Sequence, residues 1–146
     1  MPAPNDSAPA PPLTRVVETA LYFDELAPAT AFYRHVLGLR PMSEGARLVA
    51  LDAGAGSVLL LFQRGATREG YRWSTGYIPP HDGSGPAHVA LGVAREHLKA
   101  WEHWLAAHDI AIESRVTWSS GGSSIYFRDP GGHSLELVTP GTWDNY

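Results

Sequence analysis

Apolar and polar positions along this chain switch between two periods, and the switches recur twice in the same order. Over residues 15–23, Val17, Thr19, Leu21 and Phe23 share one face while Glu18, Ala20 and Tyr22 share the other, the period-two signature of a strand. Asp24 then offers a helix start, with Pro28 in the first turn. Phe32, Val36 and Leu37 fall on one helical stripe, and Gly38 supplies the stop. Short β-prone segments follow around 39–43, 47–52 and 57–63, the last two joined by the turn-forming run Asp52-Ala53-Gly54-Ala55-Gly56. Residues 64–85, rich in Gly, Pro and polar groups and interspersed with Tyr71, Trp73 and Tyr77, read as one long irregular connection of the kind that is often functional.

After that connection the pattern restarts. A strand is expected over 86–93 and a helix over 95–108 with Leu98, Trp101 and Leu105 on one side, followed by strands over 111–117, 123–128 and 134–138. The repeat predicts an α+β fold: two β-α-β-β-β modules forming a curved mixed sheet around a cleft, with the helices outside. The Pro- and Ala-rich residues 1–13 read as a disordered lead-in. Residues 14–146 read as a single domain, with module one at about 14–63, the loop at 64–85 and module two at about 86–140.

Composition narrows the chemistry. The chain has 146 residues, 44% of them hydrophobic and 18% charged, a globular balance. A formal net charge of −4 with no basic run argues against a nucleic-acid partner. No apolar stretch reaches the length of about 20 residues that spans a bilayer, so no membrane partner is expected. With no cysteine, a metal would have to be held by His, Asp or Glu, and a reducing cytoplasmic location fits.

Strand parity singles out three ionisable residues. In Ala87-His88-Val89-Ala90-Leu91, His88 faces away from the helix side; in Ser134-Leu135-Glu136-Leu137-Val138, so does Glu136; in the first strand, so does Glu18. Taken singly, each reads equally well as a solvated residue. As a set on matching strands they point to a metal site, because a carboxylate between leucines is costly if buried without a partner. His81, just ahead of the His88 strand, is a candidate acid, base or lid contact. Tyr126 is placed to donate to a bound oxyanion, and Glu136, Tyr126 and His81 are the candidate catalytic groups. Arg128 is a candidate contact for an anionic substrate or, alternatively, a partner for Asp129 or a neighbouring loop, and Trp73 and Trp118 are candidates for an aromatic pocket. His35, His97, His103 and His108 fall on helices and read as surface residues.

Four stretches carry a family resemblance: Glu18 to Asp24 (ETALYFD), Phe32 to Leu39 (FYRHVLGL), Gly85 to Ala90 (GPAHVA) and Tyr126 to Leu137 (YFRDPGGHSLEL). Together they make the chain resemble the vicinal oxygen chelate superfamily of glyoxalases, extradiol dioxygenases and bleomycin- or fosfomycin-resistance proteins. The resemblance implies metal ligands on the first and last strands of each module, here Glu18, His88 and Glu136. Those residues would hold Fe, Mn, Ni, Co or Zn, leaving positions open for a small chelating substrate. It also implies a homodimer, with the cleft formed either within one chain or across the two-fold axis. Two departures stand out. The fourth ligand place falls on Leu60 rather than a carboxylate, unlike the four-ligand glyoxalase pattern. Thr117, Trp118 and Ser119 occupy the stretch where ring-cleaving members carry a further His. The functions implied are a metal-dependent isomerase, lyase or oxygenase or, alternatively, a metal-free protein that sequesters a drug or metabolite.

Overall fold

The computed structural model describes residues 9–146, so most of the expected lead-in lies outside the described residues. Module one runs β1 (Glu18–Phe23), α1 (Leu26–His35), β2 (Arg40–Glu44), β3 (Leu48–Asp52) and β4 (Val58–Gln63). The connection folds as a short hairpin of β5 (Tyr71–Trp73) and β6 (Gly76–Ile78). Module two runs β7 (His88–Gly92), a 3-10 turn (Arg95–His97) leading into α2 (Leu98–Ala107), β8 (Ser114–Thr117), β9 (Ser123–Arg128) and β10 (Ser134–Val138). No helix among the described residues is long and apolar enough to cross a membrane.

The mixed sheets expected of an α+β fold form as two separate four-stranded sheets, ordered β1-β4-β3-β2 and β7-β10-β9-β8, with the hairpin as a third. Each module pairs its first and last strands in parallel and its remaining neighbours antiparallel. The registers are nearly superposable. Glu18 lies opposite Val58 and Ala20 opposite Leu60, just as His88 lies opposite Ser134 and Ala90 opposite Glu136. By the same count, Ala50 beside Leu60 corresponds to Tyr126 beside Glu136, and Leu48 beside Phe62 to Ser124 beside Val138.

Alternation in the sequence becomes two-sidedness in space. Leu21, Phe23, Leu59 and Leu61 of module one and Ile125, Phe127, Leu135 and Leu137 of module two belong to one buried cluster, together with Ala29, Phe32 and Tyr33 of α1 and Leu105 of α2. Glu18, Ala20, Leu60, His88 and Glu136 take the opposite faces. A polar clasp ties the modules. Tyr33 donates its O–H to Asp129 Oδ2 at 2.7 Å, and Asp129 Oδ1 accepts the backbone N–H groups of Gly131 and His133 at 2.9 Å each. The His133 ring, 2.8 Å from Asp129 Oδ2 through Nδ1, packs edge-on to Phe23, and Trp104 donates its indole N–H to the Val36 carbonyl.

Local details differ from the sequence expectation for identifiable reasons. The first helix begins at Leu26 rather than Asp24, with Glu25 at the N-cap and no side-chain cap, and the Asp24 carboxylate pairs with Arg64 instead. Gly38 does end that segment, at φ +71°, in the left-handed region glycine occupies without strain. The stretch expected as one strand over 111–117 pairs only from Ser114. The connection expected to be irregular carries a hairpin, in which Arg72 packs over the Tyr77 ring across the strand pair.

Candidate metal centre and adjoining cavity

The parallel pairing of β7 with β10 sets His88 one residue-pair away from Glu136 on the same face, and the two side chains meet. His88 Nε2 stands 3.2 Å from Glu136 Oε2. His88 Nδ1 lies 2.8 Å from the Ser134 carbonyl, which can only accept, so Nδ1 carries a proton and Nε2 is the nitrogen turned to the carboxylate. A ring nitrogen and a carboxylate oxygen at this distance call for a cation shared between them, either a proton or a metal ion. Two donors bound at right angles about 2.1 Å from one metal stand about 3 Å apart, so the spacing fits neighbouring metal ligands.

The carboxylate is held from behind. Glu136 is only 7% exposed between Leu135 and Leu137, and its Oε1 accepts the hydroxyl of Ser124 on β9. The Ser124 oxygen in turn accepts the Trp118 indole N–H at 2.8 Å, which directs the serine proton onto Glu136. Tyr126, directly across the strand pair from Glu136, stacks on the His88 ring with centroids 6.2 Å apart. Burial first, and then the negative charge of Glu136, raise its phenol above the ordinary tyrosine value and keep it a donor.

Glu18, Trp73 and His81 assemble elsewhere. They line a cavity of about 600 Å³ over the outer face of module one, with Ala20, Leu48, Leu60 and Phe62 among its other walls. All residues lining it precede β7. His81 is held at its backbone, donating its N–H to the Thr67 carbonyl and accepting the Thr67 hydroxyl. Its ring Nδ1 bonds the Tyr22 hydroxyl and its ring stands edge-on to Phe62. Burial, then the Asp82 carboxylate, raise the Tyr22 phenol above its usual value. A Cβ at Gly83 would lie 2.4 Å from the Tyr22 ring, so only glycine lets the loop close over that tyrosine.

The sequence-predicted residues therefore fall into two groups. His88, Glu136 and Tyr126 come together with Trp118 behind them, whereas Glu18, Trp73 and His81 come together on the other sheet. Among the described residues of one chain, no cluster of three or more metal-ligating side chains forms. Two residues are engaged by the protein itself. Arg128, read as an anion contact or a partner for a neighbouring loop, takes the loop partner, giving Nε and Nη2 to Glu113 and Nη1 to the Gly132 carbonyl. Trp118, read as a pocket wall, has its polar edge committed to Ser124. Ser124 itself was missed in the sequence, although its even-numbered spacing from Tyr126 places it on the same strand face.

The profile of the Glyoxalase/Bleomycin resistance protein/Dioxygenase superfamily matches residues 15–137, and the chain belongs to that family. Among individual proteins it is similar to a crystallised lactoylglutathione lyase from Agrobacterium tumefaciens, at 32% identity and a TM-score of 0.83, covering 92% of this chain and 99% of that one. It is 30% identical over 113 residues to the metallothiol transferase FosB of Shouchella clausii, covering 76% of this chain and 70% of that protein. A glyoxalase/dioxygenase structure from Nostoc punctiforme shares the fold at 19% identity and a TM-score of 0.66, covering 92% of this chain and 97% of that one.

Proposed function

We propose that this chain is a divalent-metal-dependent enzyme acting on a small, oxygen-rich molecule by chelation. Glu18, His88 and Glu136 would be the metal ligands, and the metal would be one of Fe, Mn, Ni, Co or Zn. The observation that carries the reading is the His88–Glu136 pair: Nε2 and a carboxylate oxygen 3.2 Å apart, each side chain fixed from behind by a hydrogen bond. The metallothiol transferase name of the FosB relative and the lyase name of the Agrobacterium relative support it. A metal held there would act as a Lewis acid toward adjacent substrate oxygens. Around it, Tyr126 supplies a protonated phenol beside Glu136 for a developing oxyanion. Ser124 and Ser134 fix the carboxylate and the imidazole, so little reorganisation accompanies the reaction.

Glu18 opens on the other sheet, and a homodimer in which Glu18 of one chain meets the His88–Glu136 pair of its partner completes the ligand set. Cobalt(II) titration of the purified, tag-free protein tests the whole reading. One equivalent should bind, Glu136→Ala should weaken binding more than about a hundredfold, and sedimentation should show a dimer. A wild-type protein that recruits no divalent metal overturns the enzyme, and a strictly monomeric protein overturns the shared site.

A second reading, a metal-free binding protein, is favoured by one observation: Leu60 fills the fourth ligand place and opens the apolar cavity. It predicts that His88→Ala and Glu136→Ala leave ligand affinity untouched while Trp73→Ala abolishes it.

A further inference from the structure

We propose that the cavity over module one takes the uncharged, ring-sized apolar body of the substrate, whose paired oxygens extend past Glu18 to the metal. The inference rests on the metal reading of Glu18 and adds the chemical class of what is bound. Its size fits: about 600 Å³ lies within the range of small-molecule sites, about 300–1,000 Å³.

The floor is apolar because of what module one carries at the positions corresponding to the polar ones of module two. Leu48, Ala50 and Leu60 stand where the second sheet has Ser124, Tyr126 and Glu136. A carboxylate at position 60, as a fourth ligand, would hydrate this wall; leucine leaves a surface that gains by covering an apolar group. The wall opposite comes from the hairpin. Trp73 is 58% exposed and Tyr71 46%, their rings 5.0 Å apart and edge-on, so two large, half-exposed aromatic groups stand beside the cavity.

Charge disfavours the anionic alternatives. Glu18 and Glu69 both line the cavity. Its one arginine, Arg47, is committed to the Ala66 carbonyl and lies over the Tyr71 ring, 6.0 Å from its centroid. With Glu18 assigned to the metal, Glu69 and Arg47 offset each other, so the lining offers a carboxylated or phosphorylated body no net positive charge. Glu18 marks the end from which the chelating oxygens leave, and His81, with Nδ1 engaged by Tyr22, retains Nε2 for one polar contact with the body.

Two hydroxamates separate the body from the head. Acetohydroxamate and benzohydroxamate share the chelating oxygens and differ by the ring, while 4-carboxybenzohydroxamate adds a charge to that ring. With cobalt(II)-loaded protein and the metal's visible absorption as readout, benzohydroxamate should bind about tenfold more tightly than acetohydroxamate. That advantage should shrink toward unity in Trp73→Ala and in Leu60→Gln, and the carboxylated ring should lose it in the wild type. Equal affinities of the two uncharged probes, with both perturbing the cobalt spectrum, overturn the cavity inference and leave the metal reading standing. If neither probe perturbs the spectrum, the metal reading fails and 2-naphthol added to metal-free protein decides the cavity. Fluorescence quenching that is lost in Leu60→Gln supports an apolar ring site, and no quenching overturns it.

Discussion

The two sheets have the same strand order and matching registers, yet their outer faces do different chemistry. Module two presents His88 and Glu136 in contact, braced by Ser124 and the Ser134 carbonyl. Module one keeps an acidic residue at the position of His88, namely Glu18, and puts leucine at the position of Glu136. The turns preceding the last strand repeat the contrast. Ala53 and Ser57 make the same backbone bond, N–H to carbonyl, as Asp129 and His133. In module one that turn carries small, glycine-flanked residues; in module two it buries a carboxylate and an imidazole under Tyr33. A duplicated scaffold can thus divide the work, one copy holding donors and the other shaping a cavity, without altering backbone topology.

The largest test of that contrast is at the turns. Asp129 accepts bonds from Tyr33, Gly131 and His133 while 5% exposed, so Asp129→Ala should cost about 3–5 kcal/mol of unfolding free energy, the range for breaking a buried charged network. Ala53→Ser at the corresponding place in module one should be nearly silent. Urea denaturation of both variants makes the comparison, and equal losses would show that the turns are energetically alike. A smaller effect is expected at the pair itself. Ser124→Ala leaves Glu136 Oε1 without its donor and should weaken cobalt(II) binding about 10–100-fold, the range for groups that orient metal ligands. Leu48→Ala, at the matching position of module one, should leave metal affinity unchanged.

Much of this was legible in the sequence because it depends on parity and repetition. Period-two alternation around Glu18, His88 and Glu136 put those residues on the outer faces, and the family resemblance pointed to Leu60 as the place without a donor. The registers place Leu60 and Glu136 at corresponding points. What escaped notice depends on tertiary contacts. Asp129 and His133 sit in a turn whose composition marks a loop, and only the docking of α1 brings Tyr33 over them. The hairpin at Tyr71–Trp73 and Gly76–Ile78 was hidden because six residues amid Gly and Pro give too short a period to detect. Arg128 is adjacent to Asp129 in sequence, but neighbouring strand residues point to opposite faces, so its partner is Glu113, just ahead of β8.

The smallest effect concerns the proton on Tyr33. Burial, then the charge of Asp129 and the hydrogen bond to it, raise this phenol far above its ordinary value of about 10. In the unfolded chain the same phenol ionises near that value, so above it the unfolded state binds fewer protons than the native one and stability falls as pH rises. The contribution is fully present below pH 10 and is lost above it, at a slope of about 1.4 kcal/mol per pH unit for one group. Tyr22 and Tyr126 are also raised, so the wild type sums several such contributions. Tyr33→Phe isolates one of them. The variant should be less stable at pH 8 by about 1–2 kcal/mol, having lost a buried bond to a carboxylate. Its deficit relative to the wild type should then narrow through pH 10–11, because phenylalanine has no proton to hold. Urea midpoints for the two proteins across that range make the measurement. A deficit that stays constant with pH would mean that Tyr33 ionises as readily in the folded chain as in the unfolded one, and that the clasp is looser than its 2.7 Å bond indicates.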